Sequence, residues 1–175
     1  MKEFDNDIQE PIKRPNFLVF LLVLSGISVG MSLIGSIQSL MVGPDNQEAF
    51  ELKMAQISES MSELKKANLD ANTLDWINEF SRQAMSMAEI TNFEVFYWNV
   101  FFQLIISLVG GFSIFLMFRL KKLGFHLYVV YSLLPILAMY VLFPFEIIPN
   151  VIVIGSLLFS GLFCLLYGLN LKHMK

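Results

Sequence analysis

The order of apolar and polar positions divides this chain into four greasy runs and one long polar block. A helix needs roughly 20 apolar residues to cross a hydrocarbon core about 30 Å thick. Phe17 to Val42 meets this without a single charge. A second run, starting at Phe93 or Phe96, ends at Phe118, where Arg119, Lys121 and Lys122 stop it. A third run covers Phe125 to Phe143 and a fourth covers Pro149 to Leu169. Pro144, Glu146, Pro149 and Asn150 separate these two, combining helix breakers, a charge and a turn former. That combination predicts a tight turn at a membrane face.

The polar block has a helical period of its own. Gly43-Pro44-Asp45 closes the first run, and Asp45 with Glu48 matches an acidic capping box that starts a new helix. Phe50, Met54, Ile57, Met61 and Leu64 then recur at alternating spacings of four and three, a heptad seam with charges on the other face. Asn68 to Asn72 reads as a turn, with Asn72 or Thr73 capping the next helix. Leu74, Ile77, Phe80 or Ser81, Ala84 and Ala88 form the second stripe. The two stripes predict an antiparallel helical hairpin whose arms continue towards spans one and two. A single seam buries too little apolar surface to order some 50 residues unaided. The expected cover is a second copy or another protein, although membrane anchoring of both arms lowers the entropy cost. Met54, Met61, Met85 and Met87 either fill the seam or form an adaptable binding surface.

Composition supports lipid as the solvent of the greasy runs. Of the 175 residues, 55% are hydrophobic and 15% charged, with mean hydropathy +0.62, whereas soluble domains carry about 25% charged residues. The total charge of −3 conceals a strong asymmetry. Basic residues flank the spans at Lys2, Lys13 and Arg14, at Arg119, Lys121 and Lys122, and at Lys172 and Lys175. Four crossings place all three groups on one side, which the positive-inside rule makes the cytoplasm. From Pro44 to Glu94, ten acidic residues against four basic ones leave −6 on the outside. Phe96, Tyr97 and Trp98 at one boundary and Tyr167 near another read as interfacial aromatics. The first run is longer than the 7–15 residues of a signal-peptide core, and no Ala-x-Ala follows it, so it reads as an uncleaved span.

The expected division is a cytoplasmic tail at 1–16, spans at 17–42, 96–118, 125–143 and 149–169, and an extracytoplasmic hairpin at 43–95. A cytoplasmic loop at 119–124, an outer turn at 144–148 and a cytoplasmic tail at 170–175 complete it. The fold class is all-α: an integral membrane four-helix bundle with the hairpin between spans one and two.

Residue chemistry narrows the function classes. Cys164 is the only cysteine, which excludes an intrachain disulfide and the paired thiols of four-helix membrane thiol oxidoreductases. The span interiors contain no Asp, Glu, Lys or Arg, which argues against a pump or proton-coupled transporter. His126 and His173 are the only histidines and have no nearby carboxylate or thiol, so no metal or cofactor is expected. No phosphate loop or nucleophile elbow occurs, and the expectation is a protein without catalytic residues. Gln38, Asn99 and Gln103 read as interhelical hydrogen-bonding residues, and Pro135 as a bend in span three. Small residues at Gly26 and Gly30, and at Ser156, Ser160, Cys164 and Gly168, sit four apart and let helix backbones approach closely. Contact within one bundle is the simpler use of these stripes, and a dimer interface is the alternative.

Lys121-Lys122-Leu123-Gly124-Phe125-His126-Leu127-Tyr128 resembles a helix opening found in small four-span membrane proteins of the Bacteroidota; the resemblance implies no activity. The large loop between spans one and two is similar in layout to claudin-like proteins, but the loop lacks their Trp and paired-Cys pattern. The expectation is a non-enzymatic accessory or assembly protein of the bacterial inner membrane. Its partners would be the lipid bilayer and either a second copy or another membrane or extracytoplasmic protein, not nucleic acid. The interaction surface would be Phe50, Met54, Ile57, Met61, Leu64, Ile77, Phe80, Met85 and Met87. The alternatives are a sensor that dimerises through the hairpin and an oligomeric transporter or channel-like protein.

Overall fold

In a computed structural model that describes residues 15–66 and 70–174, six α-helices make up most of the described residues. They are α1 (Asn16–Val42), α2 (Gln47–Lys66), α3 (Ala71–Phe93), α4 (Phe96–Phe118), α5 (Lys122–Leu142) and α6 (Asn150–Gly168). Single 3-10 turns occupy Phe145–Ile147 and Leu171–His173, and no strand occurs among the described residues. Four helices, α1, α4, α5 and α6, are long and apolar enough to cross a membrane. The tail expected at 1–16 and the turn at Asn68 fall largely outside the described residues.

The four apolar helices pack in the order α1, α4, α5, α6. Their tightest packing lies at one end, where Leu18, Leu22, Met117, Leu120, Tyr128 and Tyr167 form the buried core. This is also the end that carries Arg119, Lys121 and Lys122. Met174, after the last 3-10 turn, is buried in the same cluster.

The junction of α4 and α5 shows how that end is closed. Leu120 has φ +57°, the only positive φ outside glycine among the described residues. Its N–H bonds the Met117 carbonyl at 2.8 Å, and the Lys121 N–H bonds Leu116 at 3.0 Å. These two bonds make a Schellman cap, in which glycine usually takes the left-handed position. Here a leucine takes it, because its side chain is needed in the core, where it is 5% exposed. Gly124 then lets α5 press onto α4: a Cβ there would lie 2.5 Å from the Met117 nitrogen. The Ser113 hydroxyl donates to the Gly124 carbonyl at 2.9 Å and is wholly buried.

At the opposite end α3 does not simply extend α4. The chain turns at Glu94 and Val95, and α3 passes over the link between α5 and α6. Gln83 Nε2 donates to the Glu146 carbonyl at 3.2 Å, and Trp76 and Phe80 share a cleft with Pro149, Asn150 and Val151. Gln83 lies about 15 Å along the helix from Phe93 at 1.5 Å per residue. The helix therefore spans the end of the apolar group rather than standing off it.

Candidate functional site

The base of the polar block is fixed by side chains that bond to the backbone. Gly43, at φ +79°, ends α1 with its N–H on the Ser39 carbonyl. Asn46, not Asp45, caps α2: its Oδ1 accepts from the Ala49 N–H at 2.8 Å. Asp45 is drawn away because its carboxylate pairs with Lys53 at 2.5 Å while its backbone is held by Asn92. The cap of α3 also differs from expectation. Asp70, rather than Asn72 or Thr73, accepts from the Thr73 N–H at 2.8 Å and from its hydroxyl at 2.9 Å. The Thr73 N–H is the main reason the Asp70 carboxyl is held below its ordinary range. Glu79 is likewise lowered, chiefly by hydrogen bonds from Arg82, on an exposed turn of α3.

The residues expected to form an interaction surface divide between an interior and an exterior. Phe50 meets Phe93 edge-on with ring centroids 5.0 Å apart. Met54, Ile57 and Met61 of α2 share a narrow groove of about 60 Å³ with Ser81, Ala84 and Met85 of α3. Phe80 stacks on Trp76 at 5.7 Å, on the side of α3 that faces the α5–α6 link. Ile77 and Met87 are half-buried. None of the described side chains of α2 is fully buried, and Leu52, Ile57 and Leu64 remain 63%, 43% and 57% exposed.

The small-residue stripes also divide. On α6, the Ser160 hydroxyl donates to the Ser132 carbonyl of α5 at 3.0 Å, and Cys164 Sγ lies 3.5 Å from the Ser132 hydroxyl. A Cβ at Gly168 would be in ordinary contact with Phe125, and Ser156 faces the cleft between α5 and α6. Among the described residues Gly26 and Gly30 face open space, because a Cβ at either meets nothing within 4 Å. The approach of α1 to α4 is made instead by Val29, near Gly111, and by a 2.9 Å bond between the Ser32 and Ser107 hydroxyls. Gln38, Asn99 and Gln103 make no side-chain hydrogen bond among the described residues, since serines carry the interhelical bonds.

A second feature lies within the apolar helices. Tyr167 is fully buried rather than interfacial, and its hydroxyl donates to Ser25 Oγ at 2.9 Å, joining α6 to α1. The Tyr128 ring sits 4.6 Å from it. Beyond this contact α1 and α6 part, leaving a cavity of about 370 Å³ walled by α1, α5 and α6. Ser28, Tyr131, Ser132, Ser160, Phe159 and Phe163 line it, and no charged residue does. A second cavity of about 400 Å³ adjoins it, sharing Ser132, Pro135, Phe159 and Ser160 and reaching Ser156. Pro135 supplies no N–H to the Tyr131 carbonyl one turn earlier.

No family model matches this chain, and neither a curated protein nor a solved structure matches it.

The sequence offered a partial signal for this cavity. Tyr131 stands inside an apolar run, beyond its basic opening at Lys121 and Lys122 and away from the interface where tyrosine usually collects. Asn92 offered none, because its role depends on the chain returning to Asp45.

Proposed function

We propose that this is an integral protein of a bacterial cytoplasmic membrane, with both termini in the cytoplasm and α2 and α3 forming an antiparallel hairpin outside it. Its function in this reading is non-enzymatic: it presents α2 to a partner protein as an accessory or assembly subunit. The observation that carries the reading is the one-sided packing of α2. A helix in water owes most of its stability to an apolar face packed on something else. Among the described residues Leu52 and Leu64 stay more than half exposed, and Ile57 is only partly covered by the groove it shares with α3, while α3 is fastened to the α5–α6 link through Gln83. A fixed arm beside an uncovered one suits presentation. The basic end and the net −6 of the polar block support the orientation.

Photo-crosslinking from position 52 or 64 in intact cells tests the partner. A single stoichiometric adduct, lost in Ile57→Glu, supports the reading. An adduct pattern unchanged by Ile57→Glu contradicts it.

A second reading, a dimer of this chain joined along α1, is favoured by the open face at Gly26 and Gly30. Glycines four apart allow close approach of two helices in lipid. Crosslinking from position 27 separates the two readings.

A further inference from the structure

We propose that the slot between α1, α5 and α6 binds an uncharged, lipid-soluble molecule that carries hydrogen-bond-accepting oxygens on a flat ring, of the quinone type. The proposal rests on the membrane reading of the four apolar helices and is independent of any partner at α2.

The hydroxyls around the slot are not equivalent. Within the spans a serine ordinarily satisfies its hydroxyl on a nearby carbonyl or on another helix. Ser36 does so on the Ser32 carbonyl, Ser113 on Gly124, Ser160 on Ser132, and Ser25 through Tyr167. Ser28 and Tyr131, both lining the slot, have no hydrogen-bond partner among the described residues. Ser156 in the adjoining cavity is likewise without a partner, and so is Ser39, which lies outside both cavities and serves as a control below. Unpaired hydroxyls in hydrocarbon are costly, so the two in the slot, with Ser156 in the cavity beside it, mark where a polar atom is received. Each hydroxyl can donate as well as accept, and an acceptor oxygen on the ligand is one group that meets all of them.

The remaining chemistry defines the ligand further. The lining has no charged side chain, which excludes anions and cations. Tyr128, Tyr131, Phe159 and Phe163 supply aromatic surface suited to stacking against a ring. The volume of about 370 Å³ falls within the range of small-molecule sites, about 300–1,000 Å³. Depth separates two sources of carbonyl oxygen. Ser28, Tyr131 and Ser160 lie near the midpoints of α1, α5 and α6. The ester carbonyls of a glycerolipid sit close to the headgroups, whereas a quinone ring enters the hydrocarbon.

The test uses the full chain in phosphatidylcholine nanodiscs with a diazirine-bearing 2-methyl-1,4-naphthoquinone as probe and mass mapping of labelled peptides. Saturable labelling of the segments around Ser28 and Tyr131, competed by unlabelled 2-methyl-1,4-naphthoquinone, is expected. Tyr131→Phe and Ser28→Ala keep the packing and remove one donor each, and each is expected to weaken binding roughly three- to tenfold. Ser39→Ala, on α1 but outside the slot, leaves binding unchanged. Labelling spread evenly over the outer faces of α1 and α6 overturns the proposal, as does binding that ignores both slot variants. Preferential capture of a diazirine-bearing dioctanoylglycerol at the same residues overturns the assignment to a ring. Release of the chain from membranes by alkaline carbonate refutes the membrane reading instead, independently of any probe.

Discussion

The Asn92 side chain holds both backbone groups of Asp45, its Oδ1 accepting from the Asp45 N–H at 2.8 Å and its Nδ2 donating to the Asp45 carbonyl at 2.9 Å. Forty-seven residues separate the two, so this amide closes the base of the whole polar block. The carbonyl and N–H it satisfies belong to the short link between α1 and α2, which has no ladder of its own. Asn92→Leu keeps the volume but leaves both groups unpaired. The expected cost is about 2 kcal/mol, with proteolysis at the α1–α2 link appearing first. Limited digestion in detergent measures it, and an unchanged cleavage pattern contradicts the account.

Glycines on the apolar helices should differ sharply in their tolerance of a methyl group. Gly124→Ala places a carbon 2.5 Å from the Met117 backbone, which no side-chain rotation relieves. A loss of about 1–3 kcal/mol is expected. Gly26→Ala enters open space and should be neutral or gain up to about 1 kcal/mol of helix propensity. Unfolding of both variants in mixed micelles decides the matter. A destabilised Gly26→Ala would show that this face is covered by another chain.

Leu120 provides an inverted substitution order. In its left-handed conformation an alanine keeps the backbone strain and loses the burial, whereas glycine loses the burial but relieves the strain. Leu120→Gly is therefore expected to be more stable than Leu120→Ala by about 1 kcal/mol. Elsewhere near a helix the order is reversed. Thermal unfolding of the two variants, compared under identical detergent, reads the sign.

Acid should fray α3 from its N-terminus. The Asp70 carboxyl is held below its ordinary value, near 3.9, mainly by the Thr73 N–H. Its contribution to stability is fully present above that ordinary value and fades as pH falls through the lowered one. Hydrogen exchange at Thr73 and Leu74 should accelerate along this curve. In Asp70→Asn, which keeps a capping acceptor but cannot titrate, the acceleration should be absent.

The apolar runs made the four long helices legible from the sequence alone, since hydrophobic length needs no knowledge of neighbours. The turn containing Pro144 and Pro149 was visible for the same reason. The caps were misread by a residue or two, because Asp45 and Asn46 are both competent and the choice depends on Lys53 and Asn92. The stripes at Gly26 and Ser160 look alike in sequence, yet only the second meets a neighbouring helix. Spacing specifies a face; what that face meets depends on the order in which helices pack. The unpaired hydroxyls of Ser28 and Tyr131 were invisible for a related reason, as any serine or tyrosine in a span has a potential partner until the neighbours are placed.

In the proposed topology the polar block and the basic loop lie on opposite sides of a membrane. Cys164 replaced by alanine gives a thiol-free chain, into which single cysteines are introduced at Leu52 and at Lys121. A membrane-impermeant maleimide applied to sealed, intact cells is predicted to label position 52 at once and position 121 only after permeabilisation. Labelling of both positions in intact cells, or of neither, would contradict the account.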